Sequence, residues 1–354
     1  MYVAIEQLLE MAHDKGASDL HVSAGESPKI RLHGELVSLG FQPFSAEDTE
    51  MTIKPLLDDK HQKEVDELGE SDFSHAIEGY GRFRVNVFKQ KGTYGTVIRL
   101  ISTEIPDAHK LGVPQSVIEL TKKKRGLVLV TGPTGSGKST TLASLIDIIN
   151  TNYSEHIITM EDPIEYSHRH KKSIVNQREI GMDTMSFANG IRAALREDPD
   201  VILVGEMRDL ETISSAITAA ETGHLVFSTL HTIGAAPTID RIIDVFPPHQ
   251  QAQIRIQLAA VLECVISQQL IPVVEHNGRV AAFEVMHGTP AIKNLIREGK
   301  SHQIPSIIQT SKALGMVTMD DYIYDLFKRH TIDATQAVAF AVDKEQMSKK
   351  VGFM

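Results

Sequence analysis

The segment Gly132-Pro133-Thr134-Gly135-Ser136-Gly137-Lys138-Ser139 constrains this chain more than any other stretch. It fits G-x-x-x-x-G-K-[ST] throughout; the apolar run Leu127-Val128-Leu129-Val130 precedes it, and apolar positions at helical spacing, Leu142, Leu145, Ile146 and Ile149, follow. Strand, glycine loop, helix is the order that a phosphate-binding loop requires. Glycines let the backbone curl so that successive N–H groups face the β- and γ-phosphates of a nucleotide, and the helix N-terminus adds positive partial charge. Lys138 is expected to reach the terminal phosphates as a point charge. The Ser139 hydroxyl is expected to ligate Mg²⁺, and Thr140 joins the binding set.

From Arg125 onward, near-continuous apolar runs alternate with helical patterns, as in a parallel sheet buried on both faces. Runs at 127–130, 157–160, 201–204 and 225–230 read as strands. The second is followed by Glu161, Asp162 and Glu165, the third by Gly205-Glu206 and the fourth by His231. In open parallel sheets ligands bind outside the carboxyl ends of the strands. Polar groups delivered there by four strands are the constellation of a nucleotide hydrolase. Phosphoryl transfer asks for charge neutralisation and an oriented water. Glu206 is expected to serve Mg²⁺ and its waters, since glycine holds the place where a generic strand of this kind ends in Asp. One carboxylate of the Glu161, Asp162, Glu165 set is expected to polarise the attacking water. His231, at the carboxyl end of the fourth strand, is placed to sense the γ-phosphate, and His224 flanks the same strand at its start. No local third ligand makes these histidines a zinc site. Arg192 and Arg196 lie one helical turn apart in a helical pattern over 187–197. They read as a solvated stripe with paired charges or as the lining of a subunit boundary near a nucleotide.

The 354 residues suggest two domains of about 150 residues each. Ile5, Leu8, Leu9 and Ala12 predict an amphipathic helix over 5–16 closed by Gly16. Strand-like pieces follow: Lys29–Gly34 alternates, and Arg82-Phe83-Arg84-Val85-Asn86-Val87-Phe88 places Phe83, Val85 and Val87 on one face, so Arg82 and Arg84 share the other. Residues 1–103 thus read as a small α+β domain. A linker is expected over 104–120, which holds Pro106, Gly112 and Pro114, and the ATPase domain over 121–354. After about residue 250 the chain reads as mostly helical, ending in a frayed basic tail over 343–354.

A net charge of −10 gives no global field for nucleic acid, so none is expected as a partner. The basic run Lys122-Lys123-Lys124-Arg125 lacks interleaved aromatics and reads as a solvated edge. Cys264 is the single cysteine and sits in an apolar run, which suits a small buried hydrophobe. The N-terminus has no leader pattern and no apolar run approaches about 18 residues, so neither export nor membrane spanning is expected.

Four blocks together resemble the secretion ATPases of type II secretion and type IV pili, and within them the pilus retraction motors. These are the loop at 132–139, the acidic box Thr159-Met160-Glu161-Asp162-Pro163-Ile164-Glu165, the segment from Asp198 to Asp209, and the His box from Glu221 to His231. The resemblance runs over nearly the whole chain, from Gly16-Ala17-Ser18-Asp19-Leu20-His21 to a helix motif at 291–298 that carries Lys293 where arginine is usual. The longer assembly motors carry a cysteine-ligated metal insertion for which this chain has neither the cysteines nor the room. The resemblance implies a PAS-like N-terminal α+β domain, a RecA-like P-loop ATPase core and a homohexamer with ATP and Mg²⁺ as cofactors. It makes Glu206 the metal-associated carboxylate, Glu165 the best candidate for polarising water, and His224 and His231 the His-box residues. It also brings Arg82, Arg84 and Arg99 to the nucleotide phosphates, Arg99 on resemblance alone. The implied partners are an inner-membrane pilus platform protein and a paralogous retraction ATPase, with the chain cytoplasmic and peripheral to the inner membrane at the pilus base. Two rival classes are a nucleic-acid translocase, which would show DNA-stimulated turnover, and a nucleotide-gated scaffold, which would lack a carboxylate that this chain has.

Overall fold

A computed structural model of the chain describes residues 3–32, 34–101, 104–274 and 278–352. The expected strand position His33 lies outside these. The chain divides into two units, Met1–Glu104 with Glu165–Ser167, and Ile105–Ile164 with His168–Met354.

In the first unit the helix Ile5–Asp14 buries Ile5, Leu8, Leu9 and Ala12, the i, i+3, i+4, i+7 stripe. Six strands, β1 (Asp19–Ser23), β2 (Lys29–Leu32), β3 (Glu35–Ser38), β4 (Glu70–Ile77), β5 (Gly81–Gln90) and β6 (Thr93–Leu100), form an antiparallel sheet in the order β3-β2-β1-β6-β5-β4. Phe83, Val85 and Val87 of β5 pack into one core with Leu20, Val22 and Ile98. Ile53 and Val65, from the helices Ala46–Ile53 and Asp59–Leu68, join that core. Period-2 alternation leaves the opposite face of the sheet polar.

The second unit is built on seven strands. These are β7 (Gly126–Thr131), β8 (His156–Glu161), β9 (Ile174–Glu179), β10 (Val201–Val204), β11 (Leu225–Leu230), β12 (Leu262–Pro272) and β13 (Arg279–His287), ordered β13-β12-β7-β11-β10-β8-β9. All neighbours from β12 to β9 run parallel, and β13 is antiparallel to β12. Every residue of β7, β10 and β11 is buried. Leu127 and Leu129 point into a core with the helices Phe187–Ala194, Leu210–Glu221, Ala235–Asp244 and Pro248–Val261; Val128 and Val130 point into a second core with Leu142, Leu145, Ile146 and Ile149. Sandwiching between helices explains why these strands read as unbroken apolar runs. This is the α/β P-loop architecture that the motif order predicts.

Three expectations are corrected and a fourth is incomplete. The stretch expected as a linker, 104–120, belongs largely to the second unit: Ala108, Val113, Val117, Ile118 and Leu120 are buried in its core, the last three in a helical turn that begins at Gln115. Past residue 250 most of the described residues are helical, as expected, but Leu262–His287 also holds the β12–β13 hairpin, which the helical reading left out. The helix before β12 passes into it at Leu262 without a glycine or proline to mark the change. The tail is not frayed, since Asp343 caps the helix Lys344–Val351 and Met347 is buried. The helix carrying Arg192 stops at Ala194, leaving Arg196 beyond it. Among the described residues no helix is long and apolar enough to cross a membrane. Cys264 is fully buried, and Lys122, Lys123 and Lys124 are each ion-paired, with Glu119, Glu263 and Glu155.

Glu284, on β13, is a mostly enclosed carboxylate without a cationic partner among the described residues. Its oxygens accept the backbone N–H of Ala235 at 2.8 Å and of Met319 at 3.3 Å, at the starts of two helices. Burial pushes its pKa up, and these two hydrogen bonds only partly oppose that. A carboxyl raised in the folded state holds its proton longer than the unfolded chain does. Stability therefore falls as pH rises from the ordinary carboxylate range through the folded pKa. Glu284→Gln removes that titration, so the stability advantage of wild type over the variant should be largest in mild acid and shrink toward neutral pH. Urea unfolding across that range checks it, and a difference that grows with pH contradicts it.

Candidate active site

β7 ends at Thr131, and the chain turns through Gly132, Gly135 and Gly137, all at positive φ (145°, 76° and 87°), into the helix Lys138–Asn152. The helix start has no side-chain cap, so its first N–H groups are left to the loop cavity. Two of the glycines lie against Gln268, and at Gly132 the neighbour is backbone, so only glycine fits there. A Cβ on Gly132 would lie 2.2 Å from the Gln268 carbonyl oxygen, and one on Gly137 would lie 2.9 Å from Gln268 Nε2. Gly135 faces open space. Pro133, Thr134 and Gly135 form the exposed crest, Ser136 and Lys138 are buried, and Ser139 and Thr140 are half-buried at the first turn. Lys138 Nζ donates to the carbonyls of Gly132 (2.9 Å) and Pro133 (3.0 Å), folded across the loop mouth. The hydroxyls of Ser136 and Thr131 are buried without a hydrogen-bond partner among the described residues. Orphaned donors, an uncapped helix start and a cradle that a Cβ on Gly132 would crowd together fit a bound phosphate chain.

Two strands away, β10 delivers Glu206. The turn after Val204 is stapled to β11: Ser228 Oγ donates to the Val204 carbonyl (2.8 Å), Thr229 Oγ1 to the Gly205 carbonyl (2.6 Å), and the Met207 N–H to the Thr229 carbonyl (3.0 Å). Glycine at 205 has a reason, because a Cβ there would stand 3.1 Å from the Met160 carbonyl oxygen and 3.3 Å from Glu161 Cα. The Glu206 carboxylate is mostly buried and carries two basic neighbours on one oxygen, Arg208 Nε at 2.7 Å and His231 Nε2 at 3.3 Å. A cavity of about 390 Å³ opens beside it, lined among others by Arg208, Thr229, His231, Thr232 and Arg241. Level with Gly205 on β8, Glu161 Oε1 accepts from Thr159 Oγ1 (2.6 Å) and Gln177 Nε2 (3.0 Å).

The loop, Glu161, Glu206 and His231 thus share the carboxyl edge of one sheet. Other expected residues do not. His224 lies at the opposite end of β11, about 20 Å along the strand from His231, where its Nδ1 meets the Ala219 carbonyl at 2.9 Å. Glu165 is exposed in a segment that groups with the first unit. Arg192 contacts Asn189, and Arg196 donates to the Arg192 carbonyl, so both stay on the surface of their own segment. Arg82, Arg84 and Arg99 belong to the first unit. There Arg84 pairs across strands with Arg99, and Arg99 with Asp19, so they share the polar face with Arg82. The Asp19 carboxylate takes Arg99 Nε at 3.0 Å and Arg31 Nε at 3.9 Å. Burial raises its pKa, but hydrogen bonds from Ser18 and Arg99 outweigh that and hold it below the usual range. Sequence reading passed over Arg208, Arg31, Asp19 and Gln268. Arg208 lies two residues from Glu206, a spacing that was open to inspection; the other three meet their partners only across strands.

The family model described as "Type II/IV secretion system protein" matches residues 2–304. The chain is 50% identical over 333 residues to the Type IV pilus retractation ATPase PilT of Pseudomonas aeruginosa, covering 94% of this chain and 96% of that one. It is 47% identical over 322 residues to the Twitching motility protein of Neisseria gonorrhoeae, covering 91% and 86%. Among solved structures, the pilus retraction motor PilT with bound ADP superimposes with a TM-score of 0.91 at 48% identity, covering 98% of this chain and 99% of that one.

The packing at Gly205 gives a test of the site's architecture. Gly205→Ala should cost about 1–3 kcal/mol, because the methyl group forces β8 and β10 apart where Glu161 and Glu206 stand. Chemical denaturation measures it, and wild-type stability would mean that the strand ends are slack.

Proposed function

The chain belongs to the type II/IV secretion system protein family, and we propose that it is an ATP-hydrolysing motor that retracts a type IV pilus. The observation that carries this reading is similarity to retraction ATPases over nearly the whole chain, together with a complete phosphate loop on the same sheet edge as Glu206. The backbone N–H groups of 132–139 and the Lys138 ammonium hold the nucleotide phosphates. Ser139 and Glu206 are the residues that would hold Mg²⁺, which when bound neutralises charge on the transferring phosphoryl group. Glu206 orients water, and Arg208 and His231 fix the direction of its carboxylate. Glu165 is the proposed partner in polarising the attacking water, with Glu161 supporting the strand end beside it. Arg82, Arg84 and Arg99 contribute positive charge toward the phosphates, and His224 acts as the second His-box residue.

Six copies form the working ring, peripheral to the inner membrane on its cytoplasmic side. Closing on ATP and reopening after hydrolysis turn the pilus platform protein, so that pilin subunits leave the fibre. In the helix Pro290–Arg297, Ile292 and Ile296 are buried, while Lys293 reaches Glu263 at 3.7 Å and the Ala260 carbonyl at 3.2 Å. A lysine serves these single contacts as a point charge.

Lys138→Ala should abolish ATP hydrolysis, and retained turnover would remove the loop from the chemistry. Glu206→Ala should leave nucleotide binding nearly intact while cutting turnover by roughly 10²-fold or more; if Glu165→Ala does so instead, the water-activating role moves to Glu165. In cells, fluorescence imaging of labelled pili should show static, overlong fibres when the gene is deleted, rescued by wild type and not by Glu206→Ala. Absent fibres would mean an assembly motor, and normal dynamics a paralogue.

A further inference from the structure

β12 is the strand that sequence reading missed, and it packs directly against the phosphate loop. Its parallel pairing with β7 ends at Ser267 opposite Thr131, which brings the next residue, Gln268, level with the first glycine of the loop. Gln268 is 3% exposed. Three separate contacts converge on it. Its backbone carbonyl oxygen is the atom that a Cβ on Gly132 would strike, at 2.2 Å. Its side-chain nitrogen lies where a Cβ on Gly137 would come within 2.9 Å. Its side-chain oxygen accepts a hydrogen bond from Thr141 Oγ1 at 2.8 Å, inside the first turn of the helix that the loop leads into. Thr141 is itself 1% exposed, and its N–H donates to the Gly137 carbonyl at 3.0 Å. One residue thus backs the entry glycine, the exit glycine and the helix start.

The neighbouring Ser267 accepts the Gly234 N–H at 2.9 Å, in the turn that follows His231. Consecutive positions of one strand therefore brace both sides of the site.

We infer that Gln268 is a positioning residue for nucleotide phosphates: it holds the loop's first and last glycines and its helix in the curvature that aims their N–H groups inward. The inference rests on the nucleotide reading of that loop. A side chain that touches only loop and helix acts on the geometry of binding, and a cradle held loosely loses affinity through the ordering it must then undergo. Leucine keeps the volume of Gln268 but cannot accept from Thr141, and valine at 141 keeps the shape of threonine without the hydroxyl. Removing either partner alone leaves the other buried and unpaired, whereas removing both leaves an apolar contact.

The test is a double-mutant cycle on the full-length chain with Gln268→Leu, Thr141→Val and the pair, and with Lys138→Ala as the control for the nucleotide reading. ADP binding is measured by calorimetry, KM and kcat for ATP by phosphate release, and folding by thermal melts without nucleotide. Each single variant should weaken ADP binding and raise KM by about tenfold with a smaller change in kcat. The pair should be no worse than the weaker single variant. If Lys138→Ala loses ADP while both singles bind as wild type does, the proposal fails and the nucleotide reading stands. Affinity losses that simply add in the pair also overturn it. Should Gln268→Leu melt far below wild type, Thr141→Val decides: a folded Thr141→Val protein with wild-type affinity overturns the proposal. A wild-type chain that does not bind ADP removes the premise and the proposal together.

Discussion

A parallel sheet buried on both faces has nowhere along its length to put a polar side chain, and the second unit is arranged around that constraint. β7, β10 and β11 are buried at every residue. Ser228 and Thr229 bond to carbonyls at the end of β10, at Val204 and at Gly205 just past it, while the Thr131 hydroxyl sits at the loop. Groups that must meet an ion or a phosphate are pushed to the strand ends. Because these strands are parallel, their carboxyl ends lie on one edge, and the phosphate loop, Glu161, Glu206 and His231 collect there without any direct link in sequence.

Close packing then limits what that edge can hold. Gly132, Gly137 and Gly205 each sit where a Cβ would press on backbone or on a buried side chain. The chain passes so near β12 and β8 that the curvature of the loop and the spacing of the carboxylates are set by their neighbours. The charge balance is equally local. Glu206 is held by Arg208 and His231, and because Arg208 is largely exposed the pair adds little stability. Its effect is directional: it fixes which carboxylate oxygen is engaged and which remains available.

The first unit follows different physics. An antiparallel sheet with helices on one face leaves the other polar, and cross-strand register there lines up Arg84, Arg99, Asp19 and Arg31. Two of these arginines gather around the buried Asp19 carboxylate, which fixes their direction.

By itself the sequence determined what local pattern can carry. Loop spacing gave the phosphate site, the apolar runs gave the four central strands, alternation gave the shared face of Arg82 and Arg84, and the resemblance of four blocks gave the family. Tertiary structure decided what depends on contacts distant along the chain. The β12–β13 hairpin escaped notice because no breaker separates β12 from the helix before it. The segment 104–120 looked like a linker because its apolar residues find partners only in a core formed much later in the chain. Helical spacing over 187–197 ran past Ala194, where the helix stops. His224 and His231 look alike in sequence, yet a six-residue strand sends them to opposite ends of the sheet. Gln268 carries no motif at all. Its place beneath the loop follows from strand pairing between β12 and β7, and pairing across more than a hundred residues leaves no periodic trace in either segment.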